Sequence, residues 1–174
     1  MNYVIKTKRF VLRPYRLSDA PAVARNINDY KIYRYTLHIP YPYRLSDATK
    51  WFAKTIPQYR QRSPKDIQFA IEMDREIVGC VGLSHIEPRH KAEIGYWLAR
   101  RYWGQGIIPE AVKLVVNYAF KKFKLHRVYA YTFVPNRASQ KVLKKNGFKR
   151  EGLMRKVVKK RGRLISEYLW AKVK

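Results

Sequence analysis

The sequence is poor in cysteine and in long apolar runs, and each shortage excludes a class of protein. Cys80 is the only cysteine among the 174 residues, so no intramolecular disulfide forms and no cysteine cluster could hold a structural metal. No apolar run approaches the ~20 residues of a membrane span, and charge interrupts residues 1–6 before a secretory signal is complete. We therefore expect a cytoplasmic protein with no membrane partner and no metal.

Acidic residues are also scarce, with 12 Asp and Glu against 38 Lys and Arg, which gives a formal net charge of +26. Such an excess of positive charge indicates an anionic partner, either nucleic acid, a membrane surface or a phosphorylated ligand. The densest stretch is 144–163, where half of the twenty residues are basic and Glu151 is the only acid. Charge alone does not choose among these partners.

The pattern of apolar residues predicts one mixed α/β domain over residues 1–174, because no linker rich in proline, glycine or serine divides the chain. The predicted strands are 9–14, 67–73, 77–86, 91–99, 127–133, 148–160 and 163–173. The predicted helices begin at Ser18-Asp19 and end near residue 28, begin at Asp47 and end or kink at Pro57, and span 107–123 and 136–146.

The hexapeptide Tyr-Arg-Leu-Ser-Asp-Ala occurs twice, at 15–20 and at 43–48. The residues that follow the two copies diverge at once, which argues against an internally duplicated domain. We interpret the repeat as two uses of one helix-start sequence.

A strand leads into Gly104-Gln105-Gly106, and this turn opens a long amphipathic helix. Glycines let the backbone approach a ligand closely, and the unpaired amides at a helix N-terminus favour an anion. The turn is not a dinucleotide-binding fingerprint, because Pro109 occupies the place of the third glycine. It is not a P-loop either, since no Gly-Lys-Ser/Thr follows.

Several motifs occur in an order that matches a known family: Arg9-Phe10-Val11-Leu12-Arg13-Pro14, Ala92-Glu93-Ile94-Gly95-Tyr96-Trp97-Leu98, Arg101-x-x-Gly104-x-Gly106, Asn136-Arg137-Ala138-Ser139 and Asn146-Gly147-Phe148. Together they resemble the Gcn5-related N-acetyltransferases (GNAT), and are similar to the RimJ/RimL-type branch that acetylates ribosomal-protein N-termini. The resemblance implies a mixed, mostly antiparallel sheet of about six to seven strands flanked by helices.

The resemblance also implies acetyl-CoA as cosubstrate. Its pantetheine arm would pair with the strand around Trp97 and Leu98. Asn136 would hydrogen-bond the same arm, although it also suits the N-cap of the following helix. The pyrophosphate would lie on the backbone amides from Arg101 to Ile107, among them those of Gly104, Gln105 and Gly106.

For catalysis, the resemblance makes Glu93 the candidate base, with a salt bridge to one of the many cations as its alternative role. Glu167 on the last strand is a second candidate. Many family members place a tyrosine acid seven residues after the motif asparagine, where this chain has Leu143. Ser139 is the residue that the RimJ/RimL-type branch presents to the leaving sulfur, and it could also be an ordinary first-turn serine.

The acceptor favoured by the resemblance is the N-terminal α-amine of a protein, and the chain itself leaves monomer and homodimer open. Two alternatives remain: a nucleic-acid or ribosome-binding module on the same fold, and acetylation of a small amine. The basic C-terminal segment suggests RNA docking, and removing charge at Lys159, Lys160, Arg161 and Arg163 should weaken it. Five tyrosines between residues 30 and 43 would overhang the acceptor, stack on bases or pack together.

Overall fold

The computed structural model describes residues 3–174, which form five α-helices and eight strands. The strands are β1 (Ile5–Lys6), β2 (Val11–Arg13), β3 (Ile67–Met73), β4 (Glu76–Glu87), β5 (Lys91–Leu98), β6 (Arg127–Phe133), β7 (Lys149–Lys160) and β8 (Arg163–Val173). The α-helices are α1 (Ala20–Ile27), α2 (Tyr30–Arg34), α3 (Leu45–Thr55), α4 (Ile107–Lys122) and α5 (Arg137–Lys145). Short 3₁₀ turns lie at Leu17–Asp19, Ile56–Arg60 and Arg100–Tyr102.

All eight strands belong to one sheet with the order β1-β2-β3-β4-β5-β6-β8-β7. Every neighbouring pair is antiparallel except β5 and β6, which run parallel. The prediction of a mixed, mostly antiparallel sheet is confirmed, with one strand more than expected. The additional strand is the two-residue β1.

The sheet separates two apolar clusters, as period-2 alternation along its strands requires. Ala92, Ile94 and Leu98 of β5 pack on the side of α4 and α5. Trp97, one position out of phase, packs on the other side with α1 and α3. Cys80 also lies in this second cluster, where burial raises the pKa of its thiol to about 12.

The repeated hexapeptide starts a helix in both places by the same contact. The amide of Arg16 donates to the Asp19 carboxylate, and the amide of Arg44 donates to the Asp47 carboxylate, each at 2.8 Å. Asp47 therefore lies inside the first turn of α3, whose N-cap residue is Arg44, whereas Asp19 ends a short 3₁₀ turn and is the N-cap residue of α1. Consequently α3 begins at Leu45, two residues before the predicted start.

Across residues 3–174, no helix has the length and apolarity needed to cross a bilayer.

Candidate active site

The parallel strands β5 and β6 pair at only three positions, the last of which joins Glu93 to Tyr129. Beyond that point β5 continues along β4 as far as Leu98, and β6 continues along β8 as far as Phe133. The two strands therefore leave a gap in the middle of the sheet, where backbone groups of residues 94–97 on the β6 side have no strand partner. At the end of this edge the Leu98 carbonyl accepts a hydrogen bond from the Trp103 indole at 2.7 Å. An extended amide-containing ligand could pair with such an edge as a strand would.

The glycine turn lies at the same end of β5 as the gap, directly before α4. Gly104 and Gly106 both have φ of +77°, a left-handed backbone conformation that residues other than Gly, Asn and Asp rarely adopt. Within residues 3–174, the amides of 104–106 have no hydrogen-bond acceptor. Ile107 is buried beneath them and anchors the first turn of α4. These amides and the helix N-terminus form a site suited to a diphosphate.

Two arginine side chains near this turn are already engaged in contacts with the protein. The Arg9 guanidinium donates to the Gln105 carbonyl at 2.7 Å and forms an ion pair with Glu110 at 3.4 Å. The Arg101 guanidinium pairs with Glu76 at 2.5 Å, so its side chain is already engaged. A ligand on the turn would therefore meet the backbone amide of Arg101, since the guanidinium is paired with Glu76. The role of Arg9 was not expected from sequence, because 96 residues separate it from Gln105.

Asn136 caps α5, its side-chain oxygen accepting from the Ser139 amide at 3.2 Å. The Ser139 hydroxyl lies 2.8 Å from the Tyr96 hydroxyl on β5, so this contact joins the helix to the strand beside the gap. Leu143, at the position of the family's tyrosine, is fully buried. The structure therefore brings Asn136 and Ser139 to the gap, together with a tyrosine that the sequence did not single out.

The opposite face of the sheet carries the two candidate bases. Glu93 is three residues from Tyr96 and Glu167 is three from Trp170, so strand alternation places both carboxylates away from the α4 and α5 side. Tyr129 and Tyr131 of β6, whose rings meet at 5.7 Å, belong to the same face. The result is an acidic groove with aromatic walls on a strongly basic protein.

Glu93 lies at the point where strand pairing ends. Its carboxylate is 3.4 Å from the Nδ1 atom of His85, a residue with φ of +52° at a bulge of β4. Burial raises the pKa of Glu93, and the neighbouring His85 partly opposes the increase. The His85 side chain is 72% exposed, so the pair connects the groove to solvent. The predicted alternative for Glu93, a salt bridge to a lysine or arginine, is not found within the described residues.

Glu167 is 8% exposed and has no hydrogen-bond or ion-pair partner within residues 3–174. Burial raises the pKa of Glu167, and the charge of Glu93 raises it further. A carboxylate that loses most of its hydration without gaining a partner is costly, and within residues 3–174 none of the Lys and Arg side chains pairs with it. Such a group is typical of a binding site that awaits a cation.

Replacing Glu167 with glutamine should therefore stabilise the protein at pH 7. The folded pKa is above the unfolded one, so ionisation costs stability as the pH rises through the folded value. We expect the melting temperature to rise by about 3 °C for each kcal/mol that the substitution adds to the free energy of unfolding. Below about pH 3, where the carboxyl is protonated in both states, the difference in melting temperature that comes from ionisation should vanish.

Glu151→Gln provides the control for this melting experiment. Its hydrogen bond from Arg127 lowers the pKa of Glu151, so its loss should leave the melting temperature at pH 7 unchanged or lower. A lower melting temperature for Glu167→Gln at pH 7 would mean that Glu167 is a stabilising residue.

The β7–β8 hairpin reaches across to the tyrosine-rich segment near α2. The Lys160 ammonium donates to the carbonyls of Tyr33 and Thr36 and lies 3.7 Å from the centre of the Tyr33 ring. Arg161 donates to the Tyr41 carbonyl at 3.0 Å. The rings of Tyr30, Tyr33 and Tyr41 also pack on one another at 5.6–5.7 Å. These tyrosines thus form a packed cluster that joins the hairpin to α2.

These contacts bear on the RNA-docking residues expected from the sequence, whose docking role stays a prediction. Lys160 and Arg161 belong to the fold, so removing their charge would disturb the hairpin as well as any RNA contact. Only Lys159 and Arg163 of the proposed set have no contact of this kind within the described residues.

Within residues 3–174, no three His, Cys, Asp or Glu side chains come together as a metal site.

Comparisons with known proteins agree with this geometry. The sequence model of the family described as "Acetyltransferase (GNAT) domain" matches residues 9–149. The uncharacterized N-acetyltransferase p20 of Bacillus licheniformis is 30% identical over 169 residues, which cover 97% of this chain and 94% of p20. The ribosomal-protein-serine acetyltransferase of Escherichia coli K12 is 36% identical over 88 residues, covering 50% of this chain and 49% of that enzyme.

A solved structure shows the same fold over nearly the whole chain. The RimL ribosomal L7/L12 α-N-protein acetyltransferase in complex with coenzyme A superimposes with a TM-score of 0.89. The alignment covers 98% of this chain and 97% of that protein at 22% sequence identity.

Proposed function

Because the chain belongs to the GNAT acetyltransferase family and is thus an acetyl-CoA-dependent N-acetyltransferase, we propose that its acceptor is the N-terminal α-amine of a protein. The whole of 1–174 serves as the one catalytic domain. The observation that carries the proposal is the β5–β6 gap, with carboxylates on one face and a serine and an anion site on the other. Similarity to ribosomal-protein acetyltransferases supports this acceptor class.

The cosubstrate fits the groups that line the gap and the turn. The unpaired amides of residues 104–106, with those of Arg101 and Ile107, would hold the pyrophosphate. The backbone edge around Trp97 and Leu98 would pair with the pantetheine arm, beside the Leu98 carbonyl that already accepts from the Trp103 indole. Asn136 would add a hydrogen bond from the far side, while its side chain continues to cap α5.

The two carboxylates take different tasks in this proposal. Glu167, buried and unpaired, attracts and orients the acceptor while it is still an ammonium. Glu93, at the end of the paired region, removes the proton directly or through a water, and His85 passes it to solvent. A raised pKa suits Glu93 to this task, because it brings the carboxylate closer to the pH at which it must accept a proton.

An α-amine asks little of such a base. With a pKa near 7.8, about 15% is neutral at pH 7, against about 0.04% of an unperturbed lysine side chain. After the neutral amine attacks the thioester, Ser139 would donate a hydrogen bond to the departing sulfur from the opposite face.

A peptide assay tests the acceptor. The protein is mixed with acetyl-CoA and either a lysine-free peptide with a free N-terminus or the same peptide with a blocked N-terminus and an added lysine, and free thiol is measured. We expect turnover of the first peptide only. Faster turnover of the lysine peptide or of spermidine would show that a lysine side chain or a polyamine is the acceptor. If no amine is turned over and acetyl-CoA does not bind, the proposed function is refuted.

We further propose RNA as the docking partner, on a basic surface formed by α5 and the start of β7. Six exposed cations lie there without an acidic partner among the described residues: Arg137, Lys141, Lys144, Lys145, Lys149 and Arg150. Three of them, Lys144, Lys149 and Arg150, line a concave site of about 430 Å³ with Trp170 at its base. Closely spaced unpaired cations suit the repeated phosphates of a nucleic-acid strand.

Substituting glutamine at Lys144, Lys149 and Arg150 together should weaken binding of a 20-nucleotide single-stranded RNA. The plot of log affinity against log salt should become shallower by about 2, because each phosphate contact contributes about 0.7. Turnover of a short peptide should stay unchanged. Glutamine at Lys113, Lys121 and Lys122 removes the same charge from exposed positions of α4 and serves as the control. Equal effects of the two triple variants would show that only net charge matters.

A further inference from the structure

The Tyr96 hydroxyl contacts Ser139 twice. It lies 2.8 Å from the Ser139 hydroxyl oxygen and 3.3 Å from the Ser139 carbonyl oxygen. Tyr96 comes from β5, on the stretch that has lost its pairing with β6, and Ser139 comes from the first turn of α5. The contact therefore spans the gap on the face opposite to the carboxylates.

Within residues 3–174, no other side chain is hydrogen-bonded to the Ser139 hydroxyl. Asn136 fixes the serine backbone, so Tyr96 alone determines where the hydroxyl hydrogen points. The phenol is protonated at neutral pH and has one hydrogen, for which the hydroxyl and carbonyl oxygens of Ser139 are both in range. The shorter of the two contacts, at 2.8 Å, favours donation to the hydroxyl oxygen. The serine hydrogen is then free to point into the gap.

We propose that Tyr96 is a positioning residue that acts through Ser139, an inference that rests on the proposed function. The phenol donates to the serine oxygen, and the serine donates to the sulfur as negative charge develops there. A serine that receives a hydrogen bond is a stronger donor, which compensates for its weak acidity. No proton leaves Tyr96, so the thiolate takes its proton from solvent after it departs.

Tyr96→Phe tests the inference, because it removes only the hydroxyl. We expect kcat to fall about tenfold, the scale of one hydrogen bond, with the KM for acetyl-CoA unchanged. Tyr118→Phe is the matched control: its hydroxyl is buried without a partner in the described chain, so kcat should not change.

A double-mutant cycle separates positioning from simple support of the fold. Adding Tyr96→Phe to Ser139→Ala should cause no further loss of kcat, since the serine through which it acts is gone. A further tenfold loss, or a Tyr96→Phe variant with the parent's kcat, would overturn the inference. Inactivity of the parent on every amine would instead refute the proposed function.

Discussion

Replacing Glu93 with glutamine is expected to lower kcat for a free N-terminal peptide by about 100-fold, at the lower end of the usual range for a general base. The amide cannot accept the proton that the attacking amine must lose. The difference in kcat between the parent and the variant should become smaller above pH 8, where most of the acceptor α-amine is neutral without a base. Initial rates from pH 6 to 9 in the parent and the variant measure both effects.

The matched variant is Glu167→Gln, which should change a different constant. If Glu167 holds the incoming ammonium, its loss raises the KM for the peptide and leaves kcat within a few-fold of the parent. A large loss of kcat in Glu167→Gln with a small one in Glu93→Gln would exchange the two assignments. Full activity in both would show that water alone takes the proton.

Gly104→Asp should weaken acetyl-CoA binding by about 100-fold. Apart from its two chain neighbours, no atom lies within 4 Å of the Cβ position of a residue at 104, so the first side-chain atom meets open space. A carboxylate about 5 Å from a phosphate at an effective dielectric of 20 costs about 3 kcal/mol, which corresponds to about 100-fold in Kd.

Gly104→Asn separates charge from backbone effects. Asn and Asp both tolerate positive φ and have the same shape, so only the charge differs between the two variants. We expect the asparagine variant to bind acetyl-CoA nearly as well as the parent, as measured by calorimetry at low salt. Equal weakening by both residues would mean that the turn needs glycine for its conformation and that the phosphates lie elsewhere.

Most of the sheet could be predicted from sequence, because strands such as 67–73 and 127–133 are rich in apolar, aromatic and β-branched residues. The missed elements are short. β1 has two residues and is held only by β2, and α2 has five residues around Ile32. Neither is long enough to show a period, so tertiary contacts decide their conformation.

The candidate site likewise contains some features that could be predicted from the sequence and others that could not. The glycine turn and the asparagine cap could be predicted, since each is a local signal set by backbone conformation or helix capping. Arg9 and Tyr96 could not, because their partners are 96 and 43 residues away in the chain. The sequence did place Glu167 on the last strand, but only the sheet order shows that it shares a face with Glu93.

The position of β8 between β6 and β7 also bears on how the protein is made. β7 emerges from the ribosome before β8 but has no neighbour in the sheet until β8 is in place, since β8 alone pairs with it. The same last strand delivers Glu167. A nascent chain that stops before residue 163 would thus expose an unpaired, highly basic strand and lack half of its acidic groove. We therefore expect the sheet to be completed, and activity to appear, only once the final eleven-residue strand has been inserted.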